Sequence, residues 1–339
     1  MPILSVIIPC YNNGNLLKEM IDCCIQQTFD DWELIIVDDQ STDNFTQKLV
    51  KDYVAKENRI KFLIRNRLPK GSVTCRNIGL YSSLGKYIIY FDADDLISNT
   101  CFENRVKFME EHPDVEYASF PARAFWEKSK LPSYDDNGQI WGDHCKYGKD
   151  LLASFLRADY PFSTWNNIYR KASIEKIEWD EQVKIYTDFS FILPCIFAGL
   201  QHAFSELKEL DYYYRMAYNS NNMCASFVSD EKCESTLYLF DKIILELHKH
   251  SLGKKYIKIF REFVLLHYER LIYENNKQHI DEFISFCDKH YKMHKRLKFM
   301  SFLSLMFKKN RKLQKGITYC FFSILFGYTR YIKIILSRV

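Results

Sequence analysis

The sequence predicts an α/β protein with a doubly wound, mostly parallel central sheet, flanking helices and a C-terminal helical region. Three observations predict it. Apolar runs at Leu4–Ile8, Trp32–Val37 and Tyr87–Phe91, broken only by Ser5 and Glu33, suit strands buried on both faces of a parallel sheet. Stretches of helical period lie between them. From Ser229 onward the pattern is helical throughout.

The first strand ends in a turn at Pro9-Cys10-Tyr11-Asn12-Asn13-Gly14, and a helix follows from Leu16 to about Gln27 with Leu17, Met20, Ile21 and Cys24 on one face. The second strand is interrupted only by Glu33 and stops at Asp38-Asp39, after which Ser41 or Thr42 is the expected helix cap. Ile60–Ile64 is a short third strand, and a turn at Pro69–Ser72 leads into a helix carrying Arg76, Asn77 and Gly79. The fourth strand, Tyr87–Phe91, closes the series. This alternation is that of a doubly wound half-domain. Further on, Phe102–Glu111 reads as a helix, Val115–Phe120 as a strand and 121–150 as a long loop over the sheet end. Tyr160–Arg170 leads into a short helix, Ile185–Asp188 opens an apolar helix through about Ala198, and Tyr212–Arg215 reads as a last strand before a polar loop at Asn219–Asn222.

The fourth strand ends at Asp92, Asp94 and Asp95. Ligands of open α/β sheets bind beyond the carboxyl ends of strands. Crowded carboxylates raise each other's pKa and cost free energy, which a divalent cation offsets. Oxygen ligands without nearby His or Cys point to Mg²⁺ or Mn²⁺ rather than zinc, with Asp92 and Asp94 on one side of an extended segment. A D-x-D alone also occurs in surface loops. Neither G-x-G-x-x-G nor G-x-x-x-x-G-K-[ST] follows a strand, which disfavours dinucleotide and P-loop binding.

Composition, 47% hydrophobic and 27% charged, is that of a globular protein of one large domain or two. The eleven Cys show no C-x-x-C pair or zinc spacing and read as reduced thiols. The N-terminal apolar run lacks a basic lead and is too short for a secretory signal, so a cytoplasmic protein is expected. Charge is uneven: 291–339 holds twelve Lys and Arg and no Asp or Glu, leaving Met1–His290 at net −8. Such a tail calls for an anionic partner.

Seven pieces occur together in order: SVIIPCYN, ELIIVDDQSTDN, RNIGL, YFDADD, WNNIYRK, IYTDFSF and LDYYYRMAYNS. Over roughly residues 3–222 the chain resembles the family 2 glycosyltransferases with the GT-A fold, inverting enzymes of the bacterial surface-polysaccharide type. The resemblance implies a catalytic domain over 1–222, with a nucleotide-sugar half at about 1–98 and an acceptor half at about 99–222, and a helical region over 223–339. It implies an N3–H acceptor for uracil at Asp39 beside Asp38, the alternative for either acid being the helix cap. Pro9 and Tyr11 would form the other wall of the nucleotide pocket, Arg76 would reach the nucleotide or its phosphates, and Arg215 would lie over the diphosphate. Asp94 would ligate the Mn²⁺ or Mg²⁺ bridging the diphosphate, with Asp92 on the ribose or the metal, and Asp95 structural or near the donor sugar. Asp188 would be the general base, or else a helix N-terminal acid stabilised by the macrodipole. The family usually has Glu-Asp at this point; this chain has Thr187-Asp188. Trp165 and Asn166 would line the acceptor side, where the Trp165 face suits sugar stacking, the alternative for Trp165 being a buried core residue.

The implied function is transfer of a sugar, hexosyl or N-acetylhexosaminyl, from a UDP-sugar to a saccharide carried on a lipid. Alternative readings are transfer to a polyprenyl phosphate and a non-catalytic nucleotide-sugar-binding protein. In the tail, Ile317–Thr329 is uncharged but shorter than the about 20 residues a bilayer span needs, and Phe299–Phe307 has basic residues on both sides. This suits a segment lying on the anionic inner face of the cytoplasmic membrane; the alternatives are a helical bundle or a homo-oligomer contact. No recognition module accompanies the charge, so nucleic acid is not an expected partner.

Overall fold

The computed structural model describes residues 1–145, 150–216, 229–273, 277–306 and 314. The chain divides into two units, Met1–Asn222 and Met223–Val339. The first begins with β1 (Leu4–Cys10), α1 (Gly14–Ile25), β2 (Trp32–Asp38), α2 (Asn44–Val54), β3 (Ile60–Ile64), α3 (Ser72–Ser82), β4 (Tyr87–Tyr90), β5 (Leu96–Ile97) and α4 (Cys101–Glu111). It continues with β6 (Tyr117–Ser119), β7 (Ala122–Phe125), α5 (Leu151–Leu156), a 3₁₀ turn at Thr164–Asn166, β8 (Asn167–Arg170), α6 (Lys171–Ile174), α7 (Thr187–Phe197), β9 (His202–Phe204) and β10 (Tyr212–Arg215).

Seven strands form the main sheet in the order β3-β2-β1-β4-β8-β6-β9. Its β3, β2, β1 and β4 are parallel, and β8 runs against β4 and β6. Every residue of β1, β2 and β4 is buried, which is why these segments are mostly apolar without alternation, with Ser5, Glu33 and Asp38 as the polar exceptions. α3 packs so closely on β1 that a Cβ at Gly79 would lie 2.4 Å from Ile7 Cγ2. A second, three-stranded sheet, β5-β10-β7, extends from the acids that follow β4.

Several elements differ from the sequence reading. Asp43, rather than Ser41 or Thr42, caps α2 by accepting from the Thr46 N–H at 2.9 Å. The stretch Tyr160–Arg170 leads into a short helix, α6, as expected, but it also contains a 3₁₀ turn and a central antiparallel strand that the sequence reading did not assign. The span expected to be a loop from 121 contains β7, which pairs with β10. The cysteines of the described residues are free thiols.

Arg105 on α4 is fully buried. It donates to both carboxylate oxygens of Asp211, at 2.7 and 2.9 Å, and to the carbonyls of Trp165 and Asn167, at 3.2 and 3.1 Å. The second unit consists of α8 (Asp230–Lys249), α9 (Gly253–Tyr273), α10 (Lys277–Tyr291) and α11 (His294–Met306). Its core gathers Phe240, Phe260, Phe263 and Phe283, and the Tyr268 hydroxyl bonds the Leu297 carbonyl at 2.8 Å. His267 is buried beside the Phe240 and Phe283 rings; burial, and then the charge of Arg270, lowers its pKa to about 3. No helix of the described residues is long and apolar enough to cross a membrane.

Removing one partner of a buried ion pair strands the other, at about 3–5 kcal/mol. Arg105→Leu is expected to lower unfolding free energy in urea by that amount, and Arg105→Leu/Asp211→Leu to recover most of it. For His267 the folded pKa lies below the unfolded value, so its contribution is present above about 6.5 and is lost as pH falls toward 3. Denaturant titrations at pH 7 and pH 5 should show His267→Leu losing about 2 kcal/mol less than the parent protein between them.

Candidate active site

β1 and β2 pair in register up to Cys10 and Asp38, so the residues following both strands emerge side by side. Asp38 is fully buried. Its oxygens accept from the Ser41 hydroxyl, the Ser41 N–H at 2.9 Å and Gln47 Nε2 at 2.9 Å, so it holds the loop before α2. Asp39 is ion-paired through Oδ1 with Arg65 Nε and accepts from the Gly71 N–H at 3.3 Å. Arg65 is itself buried and also donates to the Arg67 carbonyl at 2.6 Å and to Gln40 Oε1 at 3.2 Å. Pro9 pairs with Val37 inside the sheet. Tyr11 beyond it is exposed, with Lys70 Nζ 3.7 Å from its ring centroid. Asn12 ties this turn to the facing loop through Ser41 Oγ at 2.9 Å and the Thr42 N–H at 2.8 Å.

β4 neighbours β1 on its other side, and the acids follow it. Asp92 accepts from Arg76 Nη2 at 2.5 Å. Arg76 is buried in α3, its guanidinium carbon 4.6 Å from the Trp179 ring centroid. Burial raises the Asp92 pKa, Arg76 counteracts it, and the charge of Asp188 raises it further. Burial and then the charge of Asp92 push the Asp94 pKa up to about 6. Asp95 is buried and accepts from the Tyr212 hydroxyl at 2.5 Å and the Arg215 N–H at 2.6 Å, which makes it a structural acid. Arg215 donates to the Asp94 carbonyl at 2.5 Å and to Glu19 at 2.6 Å, its guanidinium carbon 4.7 Å from the Phe125 ring centroid.

Among the described residues no three His, Cys, Asp or Glu side chains form a metal cage. The donor set is instead a pair of carboxylates whose ionised forms oppose each other. This fits a hard divalent cation that takes its remaining oxygens from phosphates and water.

Asp188 lies in the first turn of α7, entered through Tyr186 at φ +58°. Its Oδ2 accepts from Ser163 Oγ at 2.5 Å and its Oδ1 from Thr164 Oγ1 at 2.6 Å. The structure therefore gathers Arg76, Asp92, Asp94 and Arg215 at the end of β4, with Asp188 close enough for its charge to act on Asp92. It places Pro9, Tyr11, Asp38 and Asp39 at the adjoining ends of β1 and β2. Trp165 and Asn166, expected on the acceptor side, are interior. Trp165 stacks on Tyr212 and Tyr214 at 4.7 and 5.5 Å, and the fully buried Asn166 bonds the Phe120 carbonyl and the Ser163 N–H at 2.8 and 2.9 Å. The sequence reading missed Arg65, Glu19, Ser163 and Thr164. Only the adjacency of two hydroxyls before a turn marks the last pair, and nothing local links them to Asp188.

Comparison with known proteins bears on the family and the fold. The profile of glycosyl transferase family 2 matches residues 5–177. The chain is 26% identical over 288 residues to the minor teichoic acid biosynthesis protein GgaB of Bacillus subtilis, covering 82% of this chain but 30% of GgaB. The structure of S. aureus TarS 1-349 in complex with UDP-GlcNAc superposes with a TM-score of 0.64 at 18% identity, over 97% of this chain and 93% of that one. The mannosyltransferase PcManGT of Pyrobaculum calidifontis, solved in complex with GDP-Man and Mn²⁺, gives 0.51 at 14% identity, over 95% and 85%. With a profile match running from β1 to the residues beyond β8, and a mostly parallel sheet whose acids follow its central strand, the chain belongs to glycosyl transferase family 2 and has the GT-A fold.

Proposed function

We propose that this chain transfers a sugar, hexosyl or N-acetylhexosaminyl, from a UDP-sugar to a hydroxyl of a lipid-linked saccharide, with inversion at the anomeric carbon. The observation that carries the reading is the gathering of Arg76, Asp92 and Asp94 at one strand end beside Asp39, with the charge of Asp188 felt at Asp92. UDP-GlcNAc in the TarS structure supports the donor class, and the teichoic acid role of GgaB supports a polymer acceptor.

In this reading Asp39 accepts the uracil N3–H, held by Arg65, and Pro9 and Tyr11 wall the base. Asp38 supports the loop behind it. Arg76 and Arg215 face the diphosphate. Asp94 and Asp92 hold Mn²⁺ or Mg²⁺, which supplies Lewis-acid stabilisation of the charge that grows on the diphosphate. Asp188 takes the proton of the acceptor hydroxyl as its oxygen bonds to the anomeric carbon and the bond to UDP breaks on the opposite face.

The basic segment 291–339 supports peripheral attachment to the inner face of the cytoplasmic membrane. α11 exposes Phe299, Phe302 and Met306 alongside Lys295, Arg296 and Lys298, a combination suited to an anionic interface. The Ile317–Thr329 run lies outside the described residues.

UDP at about 100 times its Kd, with Mn²⁺, is expected to stabilise the protein by roughly 2.7 kcal/mol in a thermal shift, with GDP and dTDP giving less. The shift should disappear in Asp94→Ala and persist in Asp188→Asn, while Asp188→Asn loses about 10²- to 10⁴-fold in turnover. No shift with any nucleotide would overturn the donor reading. Co-sedimentation should favour phosphatidylglycerol over phosphatidylcholine vesicles and weaken in Phe302→Ser; equal recovery with both lipids would count against the membrane role.

A further inference from the structure

The carboxylate of Asp188 is held by two hydroxyls of consecutive residues, one on each oxygen: Ser163 at 2.5 Å and Thr164 at 2.6 Å. Among the described residues no Lys or Arg pairs with it. A carboxylate on a helix end would otherwise rotate about two side-chain bonds, and each rotamer would send its lone pairs elsewhere. Two donors from a fixed support select one.

The support is fixed at several points. The Ser163 N–H donates to Asn166 Oδ1 at 2.9 Å, and Asn166 Nδ2 donates to the Phe120 carbonyl at 2.8 Å. Arg105 holds the Trp165 carbonyl at 3.2 Å. Thr164 is 1% exposed, so its hydroxyl does not exchange partners freely with bulk water. From the other side, the chain enters α7 through Tyr186 in the left-handed region, which is uncommon for an aromatic residue and sets the direction in which Asp188 leaves the backbone. Ser163 and Thr164 direct these hydroxyls at a side chain 25 and 24 residues away. Packing α7 against the turn requires neither hydroxyl, since Phe189, Phe155 and Phe162 already supply apolar contacts there.

We propose that Ser163 and Thr164 are positioning residues for proton transfer, a hydroxyl clamp that fixes the plane of the Asp188 carboxylate toward the acceptor oxygen. The inference rests on Asp188 being the general base. A base misplaced by about an ångström loses up to roughly 10²-fold in rate without loss of substrate binding, so the clamp acts on kcat rather than on donor affinity.

The test compares the parent protein with Ser163→Ala, Thr164→Val, the double variant and the conservative exchanges Thr164→Ser and Ser163→Thr. UDP release is measured from UDP-GlcNAc and a panel of other UDP-sugars with water as acceptor, alongside the UDP/Mn²⁺ thermal shift. The expected result is a kcat lower by about 10- to 100-fold in the double variant, with donor KM and the UDP/Mn²⁺ shift unchanged and activity restored by Thr164→Ser. If the double variant keeps the parent kcat while Asp188→Asn is inactive, the base reading stands and the clamp is overturned. If Asp188→Asn releases UDP as fast as the parent, or the parent releases none from any donor, the base reading fails and the clamp with it. A double variant that loses kcat and the UDP/Mn²⁺ shift together marks a folding defect rather than positioning, and overturns the clamp; the single variants repeat the comparison with less disturbance.

Discussion

One guanidinium, that of Arg105, connects the parts of the first unit on which the candidate site depends. It is out of contact with water, and so is Asp211. Burying such a pair costs several kcal/mol per ion unless geometry and extra hydrogen bonds compensate. Here the fork of an arginine meets both oxygens of one carboxylate, and its remaining donors reach the Trp165 and Asn167 carbonyls. Lysine, a point charge with three donors, would not make that set. Asp211 immediately precedes β10, whose Tyr212 and Arg215 hold Asp95 and the Asp94 carbonyl. Trp165 belongs to the turn that carries Thr164, next to Ser163. The same ion pair therefore braces the loop of acids on one side and the support of Asp188 on the other.

Around this brace the site is assembled from like charges. Asp92, Asp94, Asp95 and Asp188 lie within electrostatic reach of one another in various pairs, and burial adds to the cost of ionising the first three. The cations nearby are committed to acids or backbone: Arg65 to Asp39, Arg76 to Asp92, Arg215 to Glu19 and the Asp94 carbonyl. Arg76 Nε is buried without a hydrogen bond, so even this pairing leaves donor capacity unused. A fold that tolerates such an arrangement sacrifices local stability, as functional sites commonly do. Binding of a cation and a diphosphate would add charges of both signs where the protein alone supplies an excess of one.

The strands that carry this end of the sheet were legible because burial on both faces demands mostly apolar residues, and β1, β2 and β4 have them apart from Ser5, Glu33 and Asp38. The residues of that end follow those strands directly, so strand, turn and acid read as one local unit. The resemblance singled out Asp39, but the part played by Asp38 was not legible, since only the packing of Ser41 and Gln47 shows that its carboxylate holds the loop before α2. β7 was hidden because Ala122–Phe125 carries an Arg in the middle, whose charge is accommodated by the Tyr134 carbonyl at 2.9 Å. β5 has two residues and β9 three, too few for any period to appear. β8 went unassigned because it pairs with strands far away in sequence, and local pattern does not show such pairing. Trp165 followed the same logic: an aromatic residue beside a site reads equally well as a platform or as core, and its stacking on Tyr212 and Tyr214 decides for core.

The position before Asp188 shows how a departure from the family's usual residues changes the physics of the same helix end. Glu at 187 would place a second negative charge in the first turn of α7, where the macrodipole favours acids. It would also add to the negative field that already opposes ionisation of Asp92. Thr187 adds none, and its carbonyl instead accepts from Ser190 Oγ at 2.7 Å inside the helix. Orientation of the remaining carboxylate then has to come from donors outside the helix, and Ser163 and Thr164 are the donors that reach it. A helix end with one acid and two hydroxyls is electrically milder than one with two acids, and its geometry depends more on the turn that faces it.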